Sequence, residues 1–423
     1  MFGPTQSNVA GRDKLNVMFD VNEALESELP LELRSRVPQG DLQSGGFSTM
    51  VTASADYARN RRRLQMSGSA LTAFRYYGRL KEVAPVTHSA GLGASISLPG
   101  QGNLHVAQTA AYSPSYLYQL LPTGGLPAPI ESIPANPDFR IDATDSYSYD
   151  STAALAFGSQ RRIRVTTTAE YSRTDFQHQV LSRPNLRIFS TSAKVSRGVS
   201  RNGSFSAEYQ YRTGEFGFGG LTREHRLNIG AEYSRALSIS RRASLRINVS
   251  PATLDVPESI LNRISTSPAT AAGGDAVPTR VDGHLYRLQA DAAADYPFRR
   301  NWLLKGNYRR GVEYLAVLTE PVFSNGAGLH LTGVITRRVD VSAAAAHATG
   351  ESAINPNGQH LDTSNAEVKI RYALKRSVAL YSEYQYYYFD WQGQIGLASS
   401  LPGIFEQHRI RVGLTFFMEP LGR

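Results

Sequence analysis

The chain alternates hydrophobic and polar residues along most of its length. In the stretch RLNIGAEYSRALSISRRASLRINVS, residues 226–250, Leu227, Ile229 and Ala231 occupy every second position, with polar or charged residues between them. Successive side chains of a β-strand point to opposite faces, so the pattern predicts two strands joined by the basic turn in the middle. One face of each strand is apolar and the other is polar.

About eighteen segments share this alternation, which predicts an all-β protein. Most are about 10 to 13 residues long, and a tilted strand needs ~9–11 residues to cross a bilayer. We place them at residues 14–22, 47–58, 62–75, 88–98, 103–113, 146–157, 161–173, 186–197, 203–213, 223–235, 242–251, 284–296, 301–312, 327–336, 339–349, 363–373, 377–389 and 405–418.

The connections between the segments alternate in length. Tight links such as PGQG at 99–102 are followed by long links such as residues 114–145 and 252–283. Short periplasmic turns at one rim and long extracellular loops at the other are typical of transmembrane β-barrels. We therefore predict a single transmembrane antiparallel β-barrel of about 16–18 strands. It would span residues 14–418, between an N-terminal tail at 1–13 and a C-terminal tail at 419–423.

The apolar faces of the clearest segments carry no charge and are rich in small residues. A Lys or Arg at the bilayer midplane costs ~2–4 kcal/mol, so a lipid-facing surface should exclude both. A sandwich core would exclude charge too, but Ala, Gly and Thr would leave voids there, whereas lipid fills the space around small side chains. Aromatic residues such as Tyr57, Phe157 and Tyr233 lie near segment ends, as at membrane interfaces. These faces are therefore predicted to contact lipid.

The opposite faces carry charged residues at membrane depth, and we predict that they line a lumen. About eighteen strands enclose an interior too wide for side chains alone to fill. Basic residues outnumber acidic ones in this set, which favours a polar channel with a slight anion preference, while ion pairs that stiffen the wall are the alternative role for any one residue. The candidates are Asp56, Arg63, Arg164, Glu170, Glu208, Arg212, Glu232, Arg246, Asp291, Lys305, Arg309, Glu367, Lys369, Arg371, Tyr381, Tyr387, Arg409 and Arg411.

Composition narrows the class of protein further. The chain has 423 residues, no cysteine and a net charge of +9. Without cysteine there is no disulfide framework or thiolate metal site. The basic excess is spread along the chain, unlike the clustered footprint of a nucleic-acid binder. No apolar run approaches the ~18 residues of a membrane-spanning helix. Residues 22–36 are the one helical candidate, and Pro30 interrupts them.

Motifs for catalysis or metal binding are missing from the sequence. It contains no GxSxG, P-loop or HExxH pattern, and the histidines are scattered. The fragments THSAG at 87–91 and DGH at 282–284 are most simply residues at loop edges. We therefore predict no enzymatic activity, no metal and no cofactor. The N-terminus lacks the apolar section of a secretory signal, so we expect that a leader was removed or lies upstream.

The C-terminus, RVGLTFFMEPLGR, resembles the assembly signal that ends bacterial outer-membrane β-barrels. The matching positions are polar Arg411, then Gly413, then the outward residues Phe416 and Met418. The family usually ends on an aromatic residue, whereas this chain continues with EPLGR. The resemblance to porin-like barrels implies a bacterial outer-membrane protein that contacts membrane lipid and is inserted by the barrel-assembly machinery.

Barrels of exopolysaccharide-export clusters are similar in length and in their Ala-, Tyr- and Arg-rich strands. This resemblance implies an aqueous pore for hydrophilic solutes, with polysaccharide export and a periplasmic export partner as one specific form. Inward tyrosines such as Tyr381 and Tyr387 would then stack on sugars. The alternative is a non-conducting structural or adhesive barrel, with a lumen closed by its Pro-rich loops and a partner bound by them. Because only 13 residues precede the first segment, we expect no N-terminal plug.

Overall fold

A computed structural model describes the barrel and part of its connections. The residues described are 13–27, 46–77, 86–113, 116–117, 140–142, 146–159, 162–177, 185–216, 220–238, 241–257, 283–314, 320–354, 359–393 and 404–421. The strands are β1 (Asp13–Glu26), β2 (Gly46–Asn60), β3 (Leu64–Tyr77), β4 (Val86–Leu98), β5 (Gly102–Ser113), β6 (Tyr116–Leu117), β7 (Arg140–Asp142), β8 (Ser146–Gly158), β9 (Ile163–Phe176), β10 (Leu186–Gly198), β11 (Gly203–Phe216), β12 (Gly220–Ala236), β13 (Arg242–Asp255), β14 (His284–Arg299), β15 (Trp302–Glu313), β16 (Val322–Val334), β17 (Val339–Ser352), β18 (Gln359–Ala373), β19 (Val378–Gly393) and β20 (Ile404–Leu421).

Eighteen of these strands form one closed antiparallel sheet. Each pairs with its neighbours along the chain, and β1 closes the cylinder by pairing with both β2 and β20. Because the sheet is closed, it has no free strand edge. The backbone N–H and C=O groups therefore bond to neighbouring strands, which matters because lipid offers them no hydrogen-bond partners. The predicted fold class and strand number are confirmed, and each predicted segment overlaps one barrel strand. The two remaining strands, β6 and β7, pair only with each other.

The strands extend beyond several predicted boundaries. β20 continues through Leu421, so it includes Glu419 and Pro420, which the sequence had assigned to a C-terminal tail. The pairing of β1 with β20 shifts register between Leu15 and Val17, opposite Leu421 and Met418. This irregularity is a β-bulge, because an extra residue of β20 lies opposite the shorter stretch of β1.

The helical candidate at residues 22–36 does not form a helix where the structure describes that stretch. Asn22–Glu26 complete β1, because pairing with β2 and β20 on both sides outweighs local helix propensity. Residues 28–36 lie outside the described part of the chain. Among the described residues, no helix is long and apolar enough to cross a membrane.

The two ends of the cylinder differ in their connections. We call the end with the tight turns the turn rim and the other end the loop rim. At the turn rim, Gly158 adopts φ +93°, and a Cβ there would lie 2.2 Å from the carbonyl oxygen of Ile163, so only glycine fits. The predicted length alternation has one exception at the loop rim. Only residues 217–219 separate β11 from β12, because both strands continue further than the sequence pattern predicted.

The outer surface of the cylinder is apolar between two aromatic belts. Leu92, Ile229 and Leu288 are among its most exposed aliphatic side chains. Near the turn rim the exposed aromatic residues include Phe157, Phe205, Tyr233, Tyr296, Tyr372 and Phe416, and near the loop rim they include Tyr76, Tyr147, Tyr149 and Tyr286. This is the outer surface expected of a transmembrane barrel.

The closing seam predicts a specific cross-link. Val21 of β1 lies directly opposite Leu414 of β20, and directly paired residues are close enough for a disulfide. The double variant Val21→Cys/Leu414→Cys should therefore form an intramolecular disulfide in the folded barrel, detected by gel mobility with and without reductant. Val21→Cys/Met418→Cys is the control, since its cysteines would be ~13 Å apart along the strands. Equal cross-linking of both pairs would contradict this register.

Candidate functional site

The polar strand faces form the inner surface of the cylinder. Arg212 in β11 donates to the carbonyl oxygen of Val312 in β15 at 3.1 Å, although these strands are not neighbours. Arg226 in β12 likewise donates to Gln289 in β14 at 3.2 Å. Only side chains on a concave face converge in this way. By strand register, all but one of the candidate lumenal residues share this face with Arg212.

Arg63 is the exception among the candidates. β3 begins at Leu64, so Arg63 lies exposed in the turn after β2. The predicted segment at 62–75 began two residues too early, because the basic run at residues 61–63 can continue the alternation or form a turn. Arg63 therefore belongs to the turn rim and does not lie within a strand.

The sequence analysis also missed residues on the polar face. Eight acidic residues on this face were absent from the candidates although they lie on predicted or extended strands: Asp20, Glu26, Asp150, Glu224, Asp295, Glu313, Asp340 and Glu383. The basic residues Lys14, Arg75, Lys194, Arg226, Arg242 and Arg287 were missed as well. Most of these residues could have been identified from the same two-residue period of the strands. With these residues included, acidic and basic side chains on the described polar face are nearly equal in number.

A buried ionic cluster lies near the loop rim where β20, β1, β2 and β3 meet. Glu26 lies 3.1 Å from Arg409 and 3.7 Å from Arg75, and the side chains of all three are at most 2% exposed. Ser48 donates a hydrogen bond to the same carboxylate at 3.0 Å. Removing a partner from such a group is costly, because the remaining charge cannot be hydrated. This cluster joins the last strand to the first three.

A second ionic cluster continues along β18 and β19. Glu383 lies 3.1 Å from Arg411 and 3.0 Å from Lys369. The Tyr381 hydroxyl donates to Asp20 at 2.8 Å, across the seam between β20 and β1. The ammonium of Lys369 also lies 4.1 Å from the centre of the Tyr381 ring, a cation–π contact.

Tyr381 and Tyr387 are buried in the folded protein, each about 2% exposed. The sequence had suggested them as sugar-stacking surfaces in an open lumen. The structure instead has Tyr381 bonded to Asp20 and both rings covered, so neither is an accessible platform in this state.

The loop-rim ends of β15 and β16, with Tyr314 beyond β15, pack inside the barrel. Val312, Tyr314 and Phe323 join an apolar cluster with Phe176, Leu186, Phe216, Leu254, Val256, Ala353 and Ile354. The guanidinium of Arg212 lies 4.4 Å from the centre of the Tyr314 ring. A Cβ on Gly214 would come within 2.2 Å of that ring, so glycine permits the close approach. The cluster spans β9 to β17 and narrows this half of the interior.

Other contacts join Glu320 and Pro321, which precede β16, to the end of β17. Arg287 donates to the carbonyl oxygen of Ala353 at 3.0 Å, and the Ala353 amide donates to Pro321 at 2.9 Å. Burial raises the pKa of the Glu320 carboxyl to about 7, partly opposed by a hydrogen bond from Ser352. Because the packed state favours the protonated acid, the stability of this packing falls as pH rises from the ordinary carboxyl range towards 7.

The polar face is more accessible towards the turn rim. Asp56, Arg164 and Lys305 are partly exposed there, and Arg371 pairs with Asp340 at 3.0 Å while both remain about one-third exposed. The described interior is therefore asymmetric, with a hydrated, charged half near the turn rim and a packed half near the loop rim. Among the described residues, no three His, Asp or Glu side chains are grouped as a metal site.

These features define a class of protein. A closed barrel with an apolar outer surface between two aromatic belts, and with a charged inner surface, is a bacterial outer-membrane β-barrel protein. No family model matches the sequence, and no curated protein matches it.

Solved structures with a similar overall architecture come from outer membranes. OccK11 (OpdR) of Pseudomonas aeruginosa is 11% identical with a TM-score of 0.41, over 97% of this chain and 98% of that one. OccK2 (OpdF) of the same organism is 9% identical with a TM-score of 0.46, over 97% and 100%. OccAB2 of Acinetobacter baumannii is 7% identical with a TM-score of 0.44, over 96% and 98%.

The ionic cluster around Glu26 predicts a large effect on stability. Glu26→Gln should lower the free energy of unfolding by about 3–5 kcal/mol, because Arg75 and Arg409 lose their buried counter-charge. Urea unfolding in detergent micelles, followed by the heat-dependent gel shift, would measure it. Glu23→Gln is the matched control on the same strand. Its exposed carboxylate accepts from Thr49, so the change should stay within about 1 kcal/mol. Equal losses would contradict a special role for the cluster.

The proposed assembly signal predicts an effect on membrane insertion. Arg411 and Gly413 lie on the inner face of β20, and Phe416 and Met418 are exposed on its outer face. Phe416→Asp should sharply reduce folded protein in the outer membrane, because a charge there opposes insertion and weakens recognition by the assembly machinery. Cell fractionation with the heat-dependent gel shift would measure it. Thr166→Asp, at a partly exposed inner-face position of β9 opposite Lys194, is the control, and a greater loss with it would contradict the assignment.

Proposed function

We propose that the barrel forms an aqueous pore for hydrophilic solutes, with its long loops outside the cell and its turn rim in the periplasm. The charged, partly exposed inner face near the turn rim carries this proposal. Charged side chains at membrane depth need water or partners, and an interior of this strand number leaves space for water. Solutes would enter or leave through this hydrated half.

The packed loop-rim half would then be the constriction of the pore. Its apolar cluster includes Val312, Tyr314 and Phe323. Arg212 holds Val312 and Tyr314 from across the interior, and Arg287 donates to the carbonyl oxygen of Ala353 in the same cluster. A solute could pass only along a path beside this apolar cluster, or after the cluster is displaced. The buried ionic clusters of β18–β20 and β1–β3 stiffen the facing wall, so we expect any displacement to involve Val312 and Tyr314 rather than that wall.

The solute is best described as small and hydrophilic, without a strong charge preference. The sequence had favoured anions, but it had overlooked acidic residues on the same face. Near balance of charge predicts weak selectivity, since the focused potential in the lumen depends on the net charge of its wall. Polysaccharide export would require wider opening of the loop rim, and the buried state of Tyr381 and Tyr387 gives it no added support.

Conductance in planar bilayers tests the pore. Arg164, Arg246 and Arg371 share the inner face, and the triple change to Glu should turn weak selectivity into clear cation preference at 0.1 M salt. The preference should fade at 1 M, where the Debye length falls from about 10 Å to about 3 Å. Arg62→Glu/Arg201→Glu/Arg376→Glu in the turns is the control. An unchanged preference in the inner-face variant would contradict the lumenal assignment.

The constriction is tested in the same recordings. Arg212→Ala removes the hydrogen bond and the ring contact that hold the Val312–Tyr314 stretch, so it should raise the conductance or the open fraction above that of the wild type. If the folded wild type and the folded Arg212→Ala variant both fail to conduct, the proposed pore is contradicted and the non-conducting structural barrel is favoured.

A further inference from the structure

The outer surface contains an apolar groove of about 700 Å³ across β14 to β19. Its floor consists of the small residues Ala292, Ala294, Gly306, Ala327, Ala345 and Ala366 on adjacent strands. Larger side chains, among them Leu329 and Tyr308, form its walls. Pockets that bind small molecules are ~300–1,000 Å³ in volume. The groove is open along the wall and has a volume sufficient for part of a lipid chain.

An ionisable cluster lies at the end of the groove towards the loop rim. His347 Nδ1 is 2.9 Å from Ser364 Oγ and 3.5 Å from Asp362 Oδ1, and His347 and Ser364 both line the groove. His347 is the fifth residue before the end of β17, inside the span of the strand. Ionisable groups at membrane depth are costly and usually serve a function. The outer face carries a further ionisable pair, His408 and Glu406, beside Tyr386, but among the residues that line the groove His347 is the ionisable imidazole. The His347 cluster therefore offers a polar head group a place at the end of the apolar floor.

We propose that the groove binds one glycolipid molecule of the outer leaflet. An acyl chain lies along the Ala and Gly floor, and the sugar head group donates hydroxyl and amide hydrogen bonds to Asp362 and Ser364 at the loop-rim end. This places the site in the outer leaflet, so it rests on the proposed orientation with the long loops outside, but not on an open pore.

The charges around the groove select this occupant. No Lys or Arg lines it, and the carboxylate beside His347 would repel a phosphate. Asp362 and Ser364 instead offer acceptors for O–H and N–H donors, which sugars with amide-linked acyl chains carry next to the chain itself. The imidazole holds both oxygens in place from one nitrogen, Nδ1, and its Nε2 remains as a further hydrogen-bonding atom.

Native mass spectrometry of the delipidated, folded, full-length barrel tests the proposal. The probes are a dephosphorylated lipid A, whose disaccharide carries amide-linked acyl chains, and phosphatidylethanolamine. We expect one lipid A molecule per barrel, with a dissociation constant at least about tenfold below that for phosphatidylethanolamine, which corresponds to ~1.4 kcal/mol. Ala327→Leu/Ala345→Leu fills the floor and should abolish this preference. Ala153→Leu, on the outer face of β8, is the control and should leave it unchanged.

The head-group contact is tested separately. Asp362→Asn keeps the shape of the side chain but makes it a weaker hydrogen-bond acceptor. It should therefore reduce the affinity for lipid A several-fold without changing the binding of phosphatidylethanolamine. Tighter binding of phosphatidylethanolamine by the wild type would overturn the glycolipid assignment. Equal binding by the wild type and the floor-filling variant would overturn the site.

Chemical cross-linking in detergent tests whether a second copy of the chain occupies the groove instead. Loss of a dimer in Ala327→Leu/Ala345→Leu but not in Ala153→Leu would identify a second copy of the chain. Conductance should stay unchanged in all three variants, so the failure of this proposal is distinguishable from failure of the pore.

Discussion

The structure depends on the pairing of backbone hydrogen bonds in a medium that offers none. A strand edge exposed to lipid would leave N–H and C=O groups unpaired at a cost of several kcal/mol each, so the sheet must close. Closure requires β1 and β20, which lie at opposite ends of the chain, to become neighbours. Several side chains at that seam make hydrogen bonds or ion pairs across it. Tyr381 and Thr415 both bond Asp20 across it, and Arg409 reaches Glu26. The backbone constraint thus determines where the ionic clusters form.

The fold was predictable because the membrane imposes a simple pattern. A two-residue period, a segment length set by bilayer thickness, and alternating connection lengths give strand number and topology without any knowledge of packing. The errors occurred where local signals conflict with pairing. Asn22–Glu26 look helical in isolation but are strand because two neighbours pair with them. Arg63 continues an alternation but lies in a turn, and β20 runs past Met418 because β1 provides a partner there.

The candidate site was less predictable, because the period indicates which face a residue is on but not what covers it. Tyr381 and Tyr387 are on the expected face, yet both are buried, and Phe216 or Tyr314 gave no sequence signal of meeting inside the barrel. Such contacts join residues far apart in the chain and depend on loop geometry. The predicted excess of basic residues on the inner face was wrong for a different reason. Glu224 and Glu383 lie within predicted segments at positions of the right parity, so the information was present in the sequence and the inventory was incomplete.

The bulge in the seam affects the order in which the barrel opens and closes. Pro420 lies in the irregular stretch between the pairs Leu15–Leu421 and Val17–Met418 and has no N–H to donate. The ladder of the closing strand pair is therefore interrupted near the turn rim, whereas towards the loop rim it is continuous and supported by the Glu26–Arg409 contact. Mechanical or thermal separation of β1 from β20 would start at the turn rim and advance towards the loop rim. The seam is thus held more firmly at the loop rim than at the rim where β1 begins and β20 ends.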